Sequence, residues 1–175
     1  MKRFLVTGLP RMRSAWLAAL FSSEQVQCFH DAIHHGGVDR MLADISASKA
    51  PIVGLLDPSA ASVYPRDALA IFGNDPIVVV FRNEQECRAG LEKWMGQHLT
   101  HWDDLVKHYQ GFLKAVDRQF YAIEYAALDD YEAVAEMYRI CTGLTLDRHR
   151  FDLFNTLKIE QHYGKAAQAA SSLRH

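Results

Sequence analysis

Short apolar runs are the feature that most constrains this chain. Residues 52–56 and 77–81 contain no polar side chain, and three less regular runs lie at 4–7, 26–29 and 120–123. Strands covered on both faces have continuous apolar segments, whereas strands with one wet face alternate. Because segments with helical spacing separate the runs, the pattern predicts an α/β fold. We expect a sheet of about five parallel strands with helices on both faces.

Helical spacing is found at residues 14–21, 38–47, 61–72 and 102–116. Two more helices are expected to begin at capping boxes, in which Asn83 is followed by Glu86 and Asp129 by Glu132. A chain of 175 residues fits one domain over residues 1–175. Short helices and a polar tail are expected from about residue 147 onward.

The composition argues against several classes of protein. A formal net charge of −2 is unlike that of a general nucleic-acid binder, which has a basic excess. No apolar run approaches the roughly 20 residues that cross a membrane, and the first residues lack the pattern of a secretory signal. Cys28, Cys87 and Cys141 are far apart, as is typical of reduced thiols. We therefore expect a cytoplasmic protein without a nucleic-acid or membrane partner.

The candidate site lies at the ends of the strands, because ligands of parallel sheets bind beyond their carboxyl ends. The first such segment, residues 8–14, joins a strand to a buried helix and reads Gly-Leu-Pro-Arg-Met-Arg-Ser. A helix N-terminus offers backbone N–H groups to an anion, and a neighbouring cation strengthens the binding. Arg11 and Arg13 supply two such cations. The segment therefore predicts an anion-binding loop.

Two other interpretations of this loop stay open. In nucleotide-hydrolysing proteins the loop reads G-x-x-x-x-G-K-[ST]. In the register that begins at Gly8, Arg13 replaces the second glycine, Ser14 the lysine and Ala15 the hydroxyl residue. Because Ala15 has no oxygen for Mg²⁺, this register disfavours an ATP- or GTP-hydrolysing enzyme. The other interpretation is a structural turn with two solvated arginines.

Residues 10–17 read Pro-Arg-Met-Arg-Ser-Ala-Trp-Leu. This segment resembles the 5′-phosphosulfate loop of small bacterial and phage sulfotransferase-like proteins, which belong to the P-loop superfamily and have a three-layer fold. Met12 departs from the family pattern, because a serine is usual there. The resemblance implies that the loop binds the donor nucleotide through Leu9, Pro10, Arg11, Met12, Arg13, Ser14 and Ala15.

A second segment, Arg82-Asn83, follows the most apolar predicted strand. It resembles the strand end at which sulfotransferases bind the 3′-phosphate of their donor, in the pattern Arg-Asn-Pro-x-Asp-x-x-x-Ser. Gly90 stands at the serine position, and Arg88 is the contact expected to compensate for the missing hydroxyl. The alternative is that Arg82 caps the sheet or pairs with a carboxylate.

The resemblance implies a sulfotransferase that uses 3′-phosphoadenosine-5′-phosphosulfate and no metal. The sulfuryl group would pass to a hydroxyl or amine of an acceptor and leave 3′,5′-adenosine diphosphate. Arg11 is expected to stabilise the leaving phosphate. Asp31 is the expected general base, because it follows a strand that we expect to lie beside the loop strand. His30 is the alternative base, and Asp57 is a weaker candidate.

Three alternatives accompany this interpretation. The first is a non-catalytic nucleotide- or anion-binding protein on the same fold, which Met12 and Gly90 favour. The second is a small-molecule or nucleotide kinase, which Ala15 disfavours. The third is that His30 and Asp31 only cap a turn. Although His34 and His35 lie near His30, no metal-binding pattern joins them.

Overall fold

Five parallel strands form one sheet in a computed structural model that describes residues 1–117 and 119–156. The strand order is β2-β3-β1-β4-β5. The strands are β1 (Lys2–Gly8), β2 (Val26–His30), β3 (Ile52–Leu56), β4 (Ile77–Phe81) and β5 (Tyr121–Glu124). All four neighbouring pairs are parallel, which confirms the α/β class and the five-stranded sheet expected from the sequence.

Helices connect the strands and follow the last of them. Within the described residues they are α1 (Ser14–Phe21), α2 (Ala32–Ala47), α3 (Ser59–Ser62), α4 (Pro65–Phe72), α5 (Glu84–Met95), α6 (Trp102–Ala115), α7 (Tyr131–Thr142) and α8 (Arg148–Thr156). A 3-10 turn, Tyr125–Asp129, leads from β5 toward α7. No helix in the two described ranges combines the length and apolarity needed to cross a membrane. Of the predicted C-terminal part, residues 157–175 lie outside the described residues.

Alternate residues of β1 face opposite sides of the sheet, and each side has its own core. Phe4 and Val6 belong to the cluster that α1, α7 and α8 cover. Leu5 belongs to the cluster on the other face, which the helices from α2 to α6 cover. Because helices bury the central strands on both faces, these strands have no polar alternation.

The strand order corrects one expectation from the sequence. The sequence analysis placed β2 beside β1. In the structure β3 lies beside β1, and β2 pairs with the other edge of β3. All of β3 is buried, whereas β2 contains Gln27 and His30 and is only partly buried beyond its first residue. The apolar strand therefore takes the inner position and the more polar strand takes the edge.

Three helix boundaries also differ from the prediction. The expected helix at 61–72 is divided, because Pro65 occupies the first turn of α4 and begins a new helix there. Helix α2 begins earlier than expected, at Ala32, but the helix is interrupted at Gly37, where φ is 74° and ψ is 178°, so that its second part agrees with the helix expected at 38–47. The cap of α7 is Asp130, whose side chain accepts a hydrogen bond from the N–H of Glu132. The prediction that Asp129 caps this helix is therefore wrong.

Close approach of β1 and β3 depends on Gly54, which is paired with Phe4. A Cβ at residue 54 would overlap the buried Phe4 ring. Gly54→Ala should therefore lower the free energy of unfolding by roughly 1–3 kcal/mol, as overpacking does in other cores. Gly111→Ala is the control, because a Cβ at this position in α6 has no neighbour within 4 Å. The control should raise stability by up to about 1 kcal/mol. Urea unfolding measures both, and similar effects of the two variants would contradict this account of the packing.

Candidate anion-binding site

The candidate site lies beyond the carboxyl ends of β1 and β4. The chain leaves β1 toward one edge of the sheet and leaves β4 toward the other edge. Ligands of open α/β sheets bind in the crevice at such a reversal of direction. Gly8 ends β1 opposite Val80 of β4, and a Cβ at residue 8 would lie 2.5 Å from the Val80 carbonyl oxygen. Only glycine therefore allows the two strand ends to approach this closely.

The backbone of the loop between β1 and α1 is unusual. Arg11 has a φ of 73° and Arg13 a φ of 64°, and both lie in the left-handed region that favours glycine. Such a conformation costs a residue with a side chain about 1–2 kcal/mol. Arg13 is also the N-cap residue of α1, and its side chain makes no capping hydrogen bond. The loop thus places the start of α1, which has no side-chain cap, at the crevice. Other contacts must offset the free-energy cost of the two left-handed residues.

Two buried side chains anchor the loop on opposite faces of the sheet. Leu9 packs in the core on the α2 face, and Met12 packs in the core on the α1 face. The Met12 side chain is fully buried, and its Sδ would be 3.2 Å from a Cβ at Gly8. The buried side chains of Leu9 and Met12 therefore anchor the loop. Of these two residues, only the backbone atoms can take part in the nucleotide binding that the sequence predicts.

Arg82 connects the end of β4 to the loop. Its Nη1 donates a hydrogen bond of 2.7 Å to the carbonyl oxygen of Arg11. Its guanidinium also lies 4.0 Å from the centre of the Tyr125 ring, and its Nε lies 3.3 Å from Glu86 Oε2. The bond to the Arg11 carbonyl helps to fix the left-handed conformation of that residue.

Arg13 is held on the other side of the loop. Its Nη1 donates to Asp129 Oδ1 at 2.7 Å, and its guanidinium lies 4.0 Å from the centre of the Trp16 ring. The Arg13 side chain is 15% exposed, whereas the Asp129 side chain is 76% exposed. The cation is thus fixed close to the start of α1 while its partner carboxylate faces water.

Arg88 lies on α5, where Glu92 and His98 hold it. Its Nε is 3.1 Å from Glu92 Oε1, and its Nη2 is 3.2 Å from His98 Nε2. Because a guanidinium has no lone pair, His98 Nε2 accepts this hydrogen bond, and Nδ1 carries a proton toward Glu92 at 2.8 Å. The backbone N–H of Leu99 and the Arg88 guanidinium lower the pKa of Glu92, which stays ionised as their acceptor.

Asp31 and His30 lie at the end of β2, on the far side of β3 from the loop strand. Two strand spacings, about 10 Å, therefore separate their strand from β1. His30 Nε2 lies 3.1 Å from Asp31 Oδ2. The other oxygen, Oδ1, is buried and has no hydrogen-bond partner among the described residues. Asp31 also has a left-handed backbone, with a φ of 49°.

Asp57, at the end of β3, is the acidic residue directly beside the loop strand. Its backbone N–H donates to Val6, and its carbonyl oxygen accepts from the Thr7 hydroxyl at 2.9 Å. The carboxylate is fully buried. Its two oxygens accept from the backbone N–H groups of Ile33 and Ser59, each at 2.8 Å. One side chain therefore fixes the chain at the starts of α2 and α3.

Burial raises the pKa of Asp57, and the nearby Asp31 carboxylate raises it further. The hydrogen bonds from Ser59 and Ile33 act in the opposite direction but do not offset the burial. Asp57 and Asp31 thus form a pair of interacting carboxyl groups at the ends of two adjacent strands.

The structure brings some of the predicted site residues together and separates others. Pro10, Arg11 and Arg13 lie in the loop, Ser14 and Ala15 lie in the first turn of α1, and Arg82 bonds to the backbone of the loop. Asp31 and His30 are two strands away, and Arg88 lies further along α5. Within residues 1–117 and 119–156, no group of three metal-binding side chains is assembled. The ligand roles of all these residues stay predictions.

Sequence reasoning missed two residues of the site. Tyr125 lies under the Arg82 guanidinium, and Asp129 pairs with Arg13. The only available signal was their position just after the fifth strand, at the same edge of the sheet as the loop. Asp129 and Arg13 are 116 residues apart in the sequence. No local sequence pattern can therefore indicate that they pair.

The fold is similar to that of a sulfotransferase from Alicyclobacillus acidocaldarius, with a TM-score of 0.58 and 12% sequence identity over 84% of each chain. A gluconokinase from Sinorhizobium meliloti 1021 aligns with a TM-score of 0.45 and 14% identity, over 89% of this chain and 97% of that chain. No family model and no curated protein matches the sequence. The first likeness shows a shared fold, in agreement with the three-layer P-loop fold expected from the sequence.

The raised pKa of Asp57 leads to a prediction about stability. When the pKa of a group is higher in the folded than in the unfolded protein, its favourable contribution is complete below the unfolded pKa and is lost as the pH rises through the folded pKa. Asp57→Asn cannot ionise and so lacks this dependence. The free energy of unfolding of the native protein minus that of Asp57→Asn should therefore decrease from about pH 3.9 upward. Urea unfolding of both proteins between pH 3.5 and 7 measures the difference, and a difference that is constant or increases with pH would contradict the prediction.

Proposed function

We propose that the protein is a sulfotransferase that binds 3′-phosphoadenosine-5′-phosphosulfate at the loop between β1 and α1. The observation that carries the proposal is the start of α1, which has no side-chain cap and follows a loop that contains Arg11 and Arg13 and is held by Arg82. A helix N-terminus with adjacent cations suits a phosphate group. The fold shared with a sulfotransferase supports the same conclusion.

The residues around the loop fit the donor by charge and by hydrogen-bonding capacity. The backbone N–H groups from Arg11 to Ala15 would donate to the 5′-phosphate, and Arg11 and Arg13 would neutralise its charge, including the charge that develops during transfer. Arg82 would contact the 3′-phosphate beside the start of α5, and Arg88 lies further along that helix. When bound, the donor would supply an activated sulfuryl group. A hydroxyl or amine acceptor would approach from the ends of β2 and β3.

Asp31 is the proposed general base. Its Oδ2 lies beside His30 Nε2, and its buried Oδ1 has no partner among the described residues. As a carboxylate at the end of β2, Asp31 would accept the proton of the acceptor hydroxyl or amine. His30 would hold the carboxylate in position, since a hydrogen bond to one oxygen fixes the direction of the other.

A second candidate function is a binding protein without turnover. Arg13 already pairs with Asp129, and Arg82 already bonds to the Arg11 carbonyl, so that both cations have protein partners. Such contacts suit a loop that is stabilised for binding alone. Transfer to an acceptor, as opposed to binding of the donor product, distinguishes the two functions.

Nucleotide preference tests the proposed donor. The native protein should bind 3′,5′-adenosine diphosphate more tightly than adenosine 5′-monophosphate, and Arg82→Ala should abolish the preference. Because Arg82 also stabilises the loop, the ratio of the two dissociation constants is the quantity to compare. Calorimetry in the presence of EDTA measures it, since binding should not require Mg²⁺. Equal affinities in the native protein would contradict the donor assignment.

The loop arginine gives a direct test of the anion site. Charge-assisted contacts contribute roughly 1.5–3 kcal/mol each, so Arg11→Ala should weaken binding of 3′,5′-adenosine diphosphate about tenfold or more. Arg40→Ala is the matched control, because Arg40 is an exposed cation on α2 that forms an ion pair with Asp44, one turn further along the same helix. A weakening of similar size in both variants would show a general charge effect and remove the case for the site.

The base assignment is tested by turnover. Asp31→Asn should lower turnover by roughly 10²-fold or more while leaving the affinity for 3′,5′-adenosine diphosphate within a few fold. His30→Ala should have a smaller effect on turnover, since His30 only positions the carboxylate. If His30→Ala shows the larger loss, the base is His30. If neither variant loses turnover, the base lies elsewhere, and Asp57 is the next residue to replace.

A further inference from the structure

An ion pair joins the loop before α1 to the turn that follows β5. Arg13 Nη1 donates to Asp129 Oδ1 at 2.7 Å. Arg13 immediately precedes α1, and Asp129 is the last residue of the 3-10 turn. The first turn of α1, residues 14–17, contains no carboxylate in its sequence. Asp129 therefore brings a negative charge from a distant segment to a helix start, where the helix dipole favours an anion.

The two partners of this ion pair are held to different degrees. The Arg13 side chain is 15% exposed, and its guanidinium lies 4.0 Å from the centre of the Trp16 ring. Trp16 is itself fixed, because it is buried and its indole N–H donates to the carbonyl oxygen of Phe154 at 2.9 Å. The Asp129 side chain, by contrast, is 76% exposed. If the pair opens, the cation therefore stays on the ring while the carboxylate moves into water.

The backbone around Asp129 is fixed by other contacts. Leu128 is fully buried in the core on the α1 face. The backbone N–H of Asp130 donates to the carbonyl oxygen of Ala127 at 3.1 Å, and the Asp130 side chain caps α7. Breaking the pair with Arg13 therefore requires only a rotation of the Asp129 side chain. Since exposed ion pairs stabilise proteins weakly, a phosphate can displace this carboxylate without unfolding the turn.

We propose that Asp129 is an internal competitor of the ligand: its carboxylate occupies Arg13 in the ligand-free protein and is displaced when a phosphate binds at the start of α1. The inference rests on the proposed function, which assigns that phosphate to the loop and to Arg13. Asp129 lowers the affinity of the site, because the ligand must break the ion pair to bind. The carboxylate returns to Arg13 when the ligand leaves, which favours release of the product nucleotide.

Asp129→Asn tests the proposal, because it removes the charge and keeps the size of an exposed side chain. The affinity for 3′,5′-adenosine diphosphate should rise about two- to fivefold, as expected when a weak ion pair no longer has to be broken. Asp130→Asn is the matched control, since it removes the same charge from the adjacent residue and asparagine is an equally good helix cap. Calorimetry in about 0.15 M salt, which screens the general effect of one charge, measures both. The control should stay within about 1.5-fold of the native protein. An equal rise in the control, or no rise in Asp129→Asn, overturns the proposal.

The route through Arg13 is tested in a second background. When Arg13 is replaced by alanine, the additional change Asp129→Asn should leave the affinity unaltered, because the carboxylate has no cation left to occupy. A rise that persists in the Arg13→Ala protein would show that Asp129 repels the ligand directly, and it would overturn the displacement from Arg13.

Inorganic pyrophosphate is titrated in parallel, since the displacement needs a phosphate group but no nucleoside. If the native protein binds pyrophosphate but not 3′,5′-adenosine diphosphate, the donor assignment is wrong. The same comparison of Asp129→Asn with Asp130→Asn, made with pyrophosphate, then decides the inference. A native protein that binds neither compound overturns the proposed function and the inference together.

Discussion

The hydrogen bond from Arg82 to the carbonyl oxygen of Arg11 is the contact on which the candidate site depends most. It joins the end of β4 to the loop that follows β1, and it holds a residue with a side chain in a left-handed conformation. Leu9 and Met12 complete the attachment by packing into the two cores. A loop fixed at these three points can present the start of α1 to a ligand without rearranging, which lowers the entropic cost of binding.

The cations of the site are held in place before any ligand binds. Arg13 contacts Asp129 and Trp16, and Arg82 contacts Tyr125 and Glu86. Both carboxylate partners are largely exposed, and ion pairs of exposed groups contribute little, about 0–1 kcal/mol. A phosphate that also reaches backbone N–H groups can therefore compete with these carboxylates, while the aromatic rings continue to hold the guanidinium planes.

The sequence predicted the class of fold, the five strands and the loop, because each of these depends on local patterns of apolar residues and turns. It did not predict which strands are neighbours, and so placed Asp31 beside the loop strand where Asp57 lies instead. It also took Asp129 for the cap of α7, although its neighbour Asp130 makes that bond. Asp129 and Asp130 are adjacent and fit the same capping pattern. The pairing of Asp129 with Arg13, which is distant in the sequence, is not visible in that pattern.

The central claim is that the loop from Arg11 to Ala15 binds a phosphate group through its backbone. The most direct test is an NMR titration of the ¹⁵N-labelled protein with 3′,5′-adenosine diphosphate, in which the amide shifts of this loop and of the start of α5 are followed. The account predicts saturable shifts at both places, with one dissociation constant and no need for Mg²⁺. Shifts confined to other parts of the protein, or loop amides that do not move at saturation, would contradict it.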